Sequence, residues 1–255
     1  MSARVFKPGL YRRRLRVITG PGWARGDLED DPHRYGVVIR HDGKTVTAVE
    51  AEPLRIPWDI CTEATGALDD LVGLSLDPDI LAPGRIVNSR LQCTHMFDTA
   101  TLALAHAARG TRFRQYDATV HVETIDGPRD AVLKRDGEMI LQWTANATTV
   151  LSPAPFAGQN LTRLLVWARE ELKDLDDFEA VFILRRAIAI SRSRDFSVEH
   201  WKDATKGPVG ACYVYQPERV GRAKRNLTTQ RDNTDTPEAL LADMPAETVA
   251  VRTSR

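Results

Sequence analysis

One segment near the middle of the chain is almost free of charge. Residues 91–108 read LQCTHMFDTATLALAHAA, and Asp98 is the only charged side chain among them. A soluble helix normally presents a charged stripe to water, so a helix of this composition is expected to be covered on both sides. At 3.6 residues per turn, His95, Thr99 and His106 share the face opposite an apolar seam. The segment therefore predicts a buried helix that forms the wall of a pocket.

Alternating apolar and polar residues predict about six strands, arranged in two blocks. The expected strands cover residues 10–19, 33–40, 45–52, 113–123, 129–135 and 138–151. Asp-Gly pairs at 42–43 and 136–137 are typical of tight hairpin turns. Gly20-Pro21-Gly22 and the acidic residues 27–31 are expected to interrupt the first block, and helices are expected at 63–72 and 161–193. This order favours an α+β fold in which an antiparallel sheet packs against long helices.

The composition predicts one large folded unit followed by a polar extension. Residues 1–220 are expected to form a single α+β domain, because patterned strands and helices run through them. After Arg219 the chain becomes polar and rich in Thr, and a short helix is expected only at 237–243. Residues 221–255 are therefore interpreted as a C-terminal extension, either mobile or an arm onto a neighbouring subunit, which leaves a homo-oligomer possible.

Charge and cysteine usage exclude several classes of protein. The chain carries 35 basic and 35 acidic residues, a balance that argues against a protein that binds nucleic acid or a membrane surface. Three widely spaced cysteines do not suggest a disulfide framework and favour a reducing cytoplasm. The first residues lack the apolar core of a signal peptide, and no apolar run approaches the length of a membrane span. A cytoplasmic location is therefore expected.

His95 is the first candidate for acid–base chemistry, because unperturbed histidine titrates near neutrality. Asp98 lies one helical turn away and is expected to orient the imidazole. The alternative is a core histidine with a structural hydrogen bond, which is the preferred interpretation of His106. The chain has no phosphate-binding Gly-rich loop, no Gly-x-Ser-x-Gly and no His-Glu-x-x-His. This argues against a nucleotide-binding enzyme, a common serine hydrolase and a zinc protease, and leaves cofactor-free chemistry open.

A metal site is the weaker interpretation of the thiols. Cys61, Cys93, His95 and Cys212 are the ligand types of a Cys3His zinc site, but only Cys93-x-His95 is local. Three small buried thiols explain the same residues, and we expect neither a metal nor another cofactor.

The segment from Gly207 to Arg219 concentrates glycine and tyrosine. Glycine allows close backbone approach, and Tyr213 and Tyr215 share a face if the segment is extended. A buried tyrosine hydroxyl can donate to an oxyanion, although an aromatic edge packed on the core is the alternative. The acidic residues 29–31 are either a solvated loop or one rim of a site. A solvated helix face is expected for Arg185, Arg186, Arg192 and Arg194.

Four segments resemble the bacterial domain-of-unknown-function family 2889. They are EDDPHRYGVVIRHDGKTVTAVEAE, PWDIC, LQCTHMFDTATLALAHAARG and ACYVYQPER, and the resemblance covers about residues 10–220. Its most specific part is Gln92-Cys93-Thr94-His95. Such proteins are often associated with breakdown of aromatic compounds. The whole chain is also similar to γ-formaldehyde lyases that act on lignin-derived aromatic dimers, which implies His33, His95 and Tyr213 as positions to test.

The resemblance implies a lyase that releases formaldehyde from the γ-hydroxymethyl group of a phenolic dimer and leaves a stilbene. Such a reaction needs a base, a phenolate stabiliser and a flat apolar slot. His95 or His33 and Tyr213 are the candidates for the first two, with Asp98 and Tyr215 beside them. The slot is expected from Phe97, Tyr116 and Trp143. Two alternatives stay open: another cofactor-free hydratase, isomerase or decarboxylase on a bulky aromatic or acyl substrate, and a non-catalytic ligand-binding protein of a catabolic pathway.

Overall fold

A single antiparallel sheet organises the chain. The computed structural model describes residues 9–124, 127–196 and 198–244, and within these residues eight strands pair in the order β4-β3-β2-β1-β5-β6-β7-β8. The strands are β1 (Gly9–Gly20), β2 (Trp23–Glu29), β3 (Arg34–His41), β4 (Val46–Arg55), β5 (Phe113–Val122), β6 (Arg129–Arg135), β7 (Glu138–Ala145) and β8 (Val150–Ser152). The expected α+β class and antiparallel sheet are confirmed.

The expected number of about six strands is wrong for two reasons. Gly22 adopts a positive φ of 76° and returns the chain into β2, a strand hidden in the sequence by its charges. Those charges are paired: Arg25 contacts Asp27 at 2.8 Å, and Asp27 accepts a hydrogen bond from Arg34 at 3.1 Å. The segment expected at 138–151 is divided into β7 and β8, with the pairing register shifted at Thr144/Ala145.

Two long helices cover one face of the sheet. The helices are α1 (Thr94–Arg109), α2 (Leu164–Glu171), α3 (Leu175–Ser191), α4 (Val198–Lys202) and α5 (Pro217–Val220). The residues of α1 from His95 to His106 are all buried, as its lack of charge predicts. A 13-residue 3-10 helix lies at Asp59–Leu71, and short ones lie at Pro83–Arg85, Ser89–Leu91, Arg192–Asp195, Ala204–Lys206 and Pro237–Ala239. Among the described residues, no helix combines the length and apolar character needed to cross a bilayer.

His106 ties α1 to α3. Its Nε2 lies 2.8 Å from Glu179, which also accepts a hydrogen bond from the hydroxyl of Tyr116 on β5. All three side chains are buried. A buried carboxylate requires such partners because removal from water disfavours its charge. The preferred structural interpretation of His106 therefore agrees with its surroundings.

The C-terminal extension lies against the opposite face of the sheet. Arg14 donates to the carbonyl oxygen of Leu240 at 2.8 Å, and the backbone N–H of Leu241 donates to Glu29 at 2.7 Å. Leu240 and Leu241 are themselves buried. Residues 1–8 of the expected domain and residues 245–255 of the expected extension lie outside the described residues.

The four arginines expected on a solvated helix face do not form one. Arg194 is only 1% exposed and contacts Asp31 at 2.7 Å, and it also donates to Asp232 in the C-terminal extension at 2.9 Å. Arg186 contacts Asp98, and Arg185 donates to the carbonyl oxygen of Leu161. The expectation failed because the partners lie far away in sequence.

Removal of Arg194 should strongly destabilise the fold. Arg194→Ala leaves Asp31 as a buried charge without its cation, and such truncation costs about 3–5 kcal/mol. Arg222→Ala is the control, because Arg222 and Glu63 form an exposed pair and exposed pairs contribute little to stability. Urea unfolding monitored by circular dichroism measures the free energy of unfolding of both variants. Equal losses of unfolding free energy would contradict the structural role given to Arg194.

Candidate functional site

A buried aspartate and a histidine meet at the turn between β2 and β3. The Nδ1 of His33 lies 2.7 Å from Oδ1 of Asp30, and the backbone N–H of His33 donates to the same oxygen at 3.0 Å. The other oxygen of Asp30 accepts from the hydroxyl of Tyr11 at 2.7 Å and from Arg13 at 2.9 Å. The short turn and these two neighbours on β1 therefore fix both the carboxylate and the imidazole.

His95 on α1 stacks on His33. The two ring centroids are 3.7 Å apart, with an angle of 27° between the planes. Nε2 of His95 is buried and has no hydrogen-bond partner in the described part of the chain. Buried polar atoms are normally hydrogen-bonded, so an unpaired imidazole nitrogen in a cavity wall is a position where a ligand oxygen can bind.

Electrostatics divides this cluster into an anion and two neutral imidazoles. Burial alone raises the pKa of Asp30, but His33 and Arg13 outweigh it and hold that pKa far below its usual range. Burial lowers the pKa of His33, and Asp30 opposes part of the shift. The pKa of His95 falls further, because burial is reinforced by His33 and Arg13. At neutral pH the arrangement therefore offers unprotonated imidazoles beside a fixed carboxylate.

The imidazoles line a cavity of about 600 Å³. Tyr35, two residues after His33 on β3, lies on the same wall, with its ring centroid 5.7 Å from that of His33. Further aromatic side chains in the wall are Trp58, Phe196, Trp201, Tyr213 and Tyr215. The volume lies within the range of small-molecule sites, and its mixed aromatic and polar lining suits an aromatic ligand that carries oxygen groups.

The structure brings four of the expected site residues to this cavity and leaves four outside its lining. His33, His95, Tyr213 and Tyr215 line it. Phe97, Tyr116 and Trp143 are buried in the core instead, where Tyr116 bonds to Glu179 and the ring of Trp143 lies 5.2 Å from that of Phe156. A sequence pattern shows that an aromatic residue is buried but not which side of the core it faces.

Asp98 does not orient His95, contrary to expectation. Its carboxylate contacts Arg186 of α3, with an Nε to Oδ2 distance of 2.7 Å. The helical spacing places Asp98 near His95, but the stronger cationic partner comes from another helix. Asp30, three residues before His33, makes the carboxylate–histidine contact instead.

The two tyrosines of the 207–219 segment have different surroundings. Tyr213 interacts with Glu63 and Arg222, which are both exposed, and its ring lies 3.9 Å from the Arg219 guanidinium. Tyr215 packs against Gly207, where an added Cβ would lie 2.2 Å from the tyrosine ring. The expected close backbone approach therefore occurs at Gly207, and it accommodates Tyr215.

Sequence reasoning missed Asp30 as a partner and Tyr35 as a member of the site. The hydroxyl of Tyr35 is buried and interacts with the thiols of Cys93 and Cys61. A signal for Tyr35 was available, because residues i and i+2 of a strand share a face. Arg225 was also missed, and no local pattern links it to the cavity.

A metal ion fits this cluster poorly. Asp30, His33 and His95 offer ligand atoms within 4.8 Å of one another, but Asp30 already accepts four hydrogen bonds from Tyr11, Arg13 and His33. Nearly parallel stacked imidazoles direct their in-plane lone pairs alongside each other, whereas ligands of one ion must converge on it. Cys61, Cys93 and Cys212 are free thiols, and the Cys3His set is not among the metal-type clusters of the described residues.

Residues 27–109 match the model of a family described as "Protein of unknown function (DUF2889)". This match supports the family resemblance for the part of the chain that contains β2, β3 and α1, and therefore Asp30, His33, Tyr35 and His95. No curated protein matches the chain.

Acid should destabilise the protein through His95. Its pKa is lowered in the folded state, so below the unfolded value of about 6.5 the unfolded chain binds more protons and the free energy of unfolding falls as pH falls. Each such histidine contributes a slope of up to about 1.4 kcal/mol per pH unit. Urea unfolding between pH 7.5 and 5 should show a steeper loss for the natural protein than for His95→Gln.

The matched control is His121→Gln, because that side chain is 45% exposed. As pH falls from 7.5 to 5, the free energy of unfolding of His121→Gln should fall as steeply as that of the natural protein. Parallel curves for the natural protein and His95→Gln would show that His95 is not held neutral by the fold.

Proposed function

We propose that the protein is a cytoplasmic, cofactor-independent enzyme that transfers protons on a bulky aromatic substrate. The observation that carries this proposal is the stacked His33–His95 pair beside the buried Asp30 carboxylate, in the wall of a large aromatic cavity. A carboxylate, a histidine and an unpaired imidazole nitrogen form a general-base arrangement. The buried acidic turn, in this view, is one rim of a catalytic site.

His33 is the better proton acceptor of the two histidines. With Nδ1–H donated to Asp30, the lone pair of Nε2 is directed away from the carboxylate, and Asp30 stabilises the imidazolium that forms when this lone pair takes a proton. His95 has no carboxylate contact, so its unpaired Nε2 is suited to hold a substrate hydroxyl. Tyr35 supplies a buried O–H group, and burial raises its pKa well above the usual value, which keeps the hydroxyl a donor.

The specific reaction that we propose is loss of formaldehyde from a phenolic dimer with a γ-hydroxymethyl group. Loss of the phenolic proton drives departure of the benzylic oxygen, which leaves with a proton, and a quinone methide forms. A base then takes the γ-hydroxyl proton, the carbon–carbon bond to the γ-carbon breaks, and formaldehyde departs. The electron pair of that bond forms the central double bond and restores the aromatic ring. The products are a stilbene, formaldehyde and water or an alcohol, with no net oxidation.

The resemblance to γ-formaldehyde lyases directs the choice of this reaction, and the site supports its requirements. It offers a base at His33, a hydroxyl-binding nitrogen at His95, a phenolate donor at Tyr35 and aromatic walls at Trp58 and Trp201. The reaction needs only proton transfers and charge stabilisation. Other cofactor-free eliminations or isomerisations of an aromatic substrate would use the same groups.

Replacement of either histidine should abolish most turnover and leave the fold intact. His33→Gln and His95→Gln should each lower kcat by about 10² or more, the usual contribution of a general acid or base. The substrate is a 1,2-diarylpropane-1,3-diol with a free phenol, and stilbene absorbance and formaldehyde are both measured. His121→Gln should remain fully active.

Full activity per folded molecule in both histidine variants would overturn the proposed site. Turnover of the same dimer with its phenol methylated would overturn the phenolate mechanism, because the ring could not supply electrons. Thermal stabilisation by the dimer without any turnover would favour a ligand-binding protein.

Two tyrosine variants separate the candidate phenolate donors. Tyr35→Phe and Tyr213→Phe both keep the ring and remove only the hydroxyl. Tyr35→Phe should lower kcat by about 10²-fold or more, because a donor directed at developing charge contributes about 3 kcal/mol. Tyr213→Phe should change kcat far less, since its hydroxyl interacts with exposed Glu63 and Arg222. A loss confined to Tyr213→Phe would assign the donor to the 207–219 segment instead.

A further inference from the structure

Arg225 places a guanidinium between two indole rings in the wall of the cavity. Its Cζ lies 3.4 Å from the ring centroid of Trp201 and 4.8 Å from that of Trp58. The backbone is fixed as well, because Arg225 forms a bridge with Trp58, and the neighbouring Asn226 N–H donates to the carbonyl oxygen of Pro57 at 2.9 Å. Stacking on two rings holds the planar cation in one orientation before any ligand arrives.

This cation has no carboxylate partner within the described ranges. The groups that act on its charge are Tyr215, Cys61 and Tyr35, which are neutral at pH 7, and its Nε is buried without a hydrogen-bond partner. Burial accordingly lowers the pKa of Arg225 to about 9. Arg225 is partly buried, and buried arginines are normally paired, as Arg13 is with Asp30 and Arg194 with Asp31.

The wall around Arg225 carries an excess of positive charge. Arg186, Lys206 and Arg225 are basic residues of the cavity lining, whereas Asp203 is its only acidic lining residue in the described chain. Asp203 lies 4.0 Å from Lys206, and the Arg186 charge is balanced from behind by Asp98. A cavity with this balance favours a ligand that is itself negatively charged.

A carboxylate is the anion that fits this position. An ordinary phenol has a pKa near 10 and is neutral at pH 7, so a phenol in its resting form leaves the charge of Arg225 unbalanced. A carboxylate is ionised at that pH and accepts two parallel hydrogen bonds from a guanidinium. The flanking indoles offer flat apolar surfaces for an attached aromatic ring.

We infer that Arg225, held between Trp58 and Trp201, is a subsite for the carboxylate of an aromatic acid. The inference rests on the proposed function only in taking this cavity as the substrate site, and it restricts the substrate class to aromatic compounds that carry a carboxylate. It places substrate recognition on a different residue from proton transfer at His33 and His95.

Binding of a matched acid and amide tests the subsite without turnover. The probes are trans-stilbene-4-carboxylate and trans-stilbene-4-carboxamide, which share size and shape but differ in charge, and calorimetry at pH 7 measures both. The natural protein should bind the acid at least about tenfold more tightly, the usual range for a hydrogen bond to a charged group. Equal affinities would overturn the inference even if no variant could be prepared.

Substitutions locate the preference. Arg225→Gln should remove it by weakening the acid at least about tenfold while the amide changes less than about twofold. Arg222→Gln should retain the preference, because Arg222 is exposed and pairs with Glu63. A preference that survives Arg225→Gln, or equal losses for acid and amide, would overturn the assignment. If the acid binds through Arg225 but no lyase turnover occurs, the subsite stands and the proposed reaction is rejected. If turnover occurs but the acid is not preferred over the amide, the proposed reaction stands and the subsite is rejected.

Discussion

The buried carboxylate of Asp30 is the group on which both the sheet and the site depend. A carboxylate removed from water is tolerated only when hydrogen bonds and opposite charge replace its hydration. Here Tyr11 and Arg13 of β1 bond to one oxygen, and the backbone and ring of His33 bond to the other. The need to replace the hydration of Asp30 with these bonds therefore fixes the position of the β2–β3 turn against β1. It also fixes the plane of the His33 ring, and with it the surface on which His95 stacks.

The sheet was predictable where its signal is local. Two Asp-Gly turns and period-two alternation predict an antiparallel sheet. The absence of charge in residues 91–108, apart from Asp98, predicts the buried helix α1. The strand β2 was missed because Asp27 and Glu29 are read as solvent-facing until their partners are known. Asp27 pairs with Arg25 and Arg34, and Glu29 contacts Arg55 at 2.9 Å and accepts from Leu241. Such partners are supplied by neighbouring strands and by the C-terminal extension, which the sequence does not place.

The site was predictable to a similar extent. His33, His95, Tyr213 and Tyr215 were named, and the structure places all four around one cavity. Helical spacing predicts that Asp98 contacts His95, but the structure shows that its carboxylate pairs with Arg186 of another helix. Arg225, by contrast, belongs to the cavity although no local pattern predicts it, because the rings that surround it, Trp58 and Trp201, are distant from it and from each other in sequence. Local spacing identifies groups able to react, whereas tertiary contacts decide which of them are left unpaired.

In the proposed function, one wall of the cavity recognises charge and another transfers protons, and the pairing of the charged side chains is consistent with this division. Burial lowers the pKa of both His33 and His95, so the imidazoles face the cavity as neutral groups, while Asp30 and Arg13 pair with each other. Arg225 lies against the rings of Trp58 and Trp201 and has no carboxylate partner among the described residues, so in our proposal its charge is left for the ligand. An anion bound at Arg225 also removes a positive charge that lowers the pKa of His33. In the proposed function, a carboxylate bound at Arg225 therefore raises the proton affinity of His33, the proposed base.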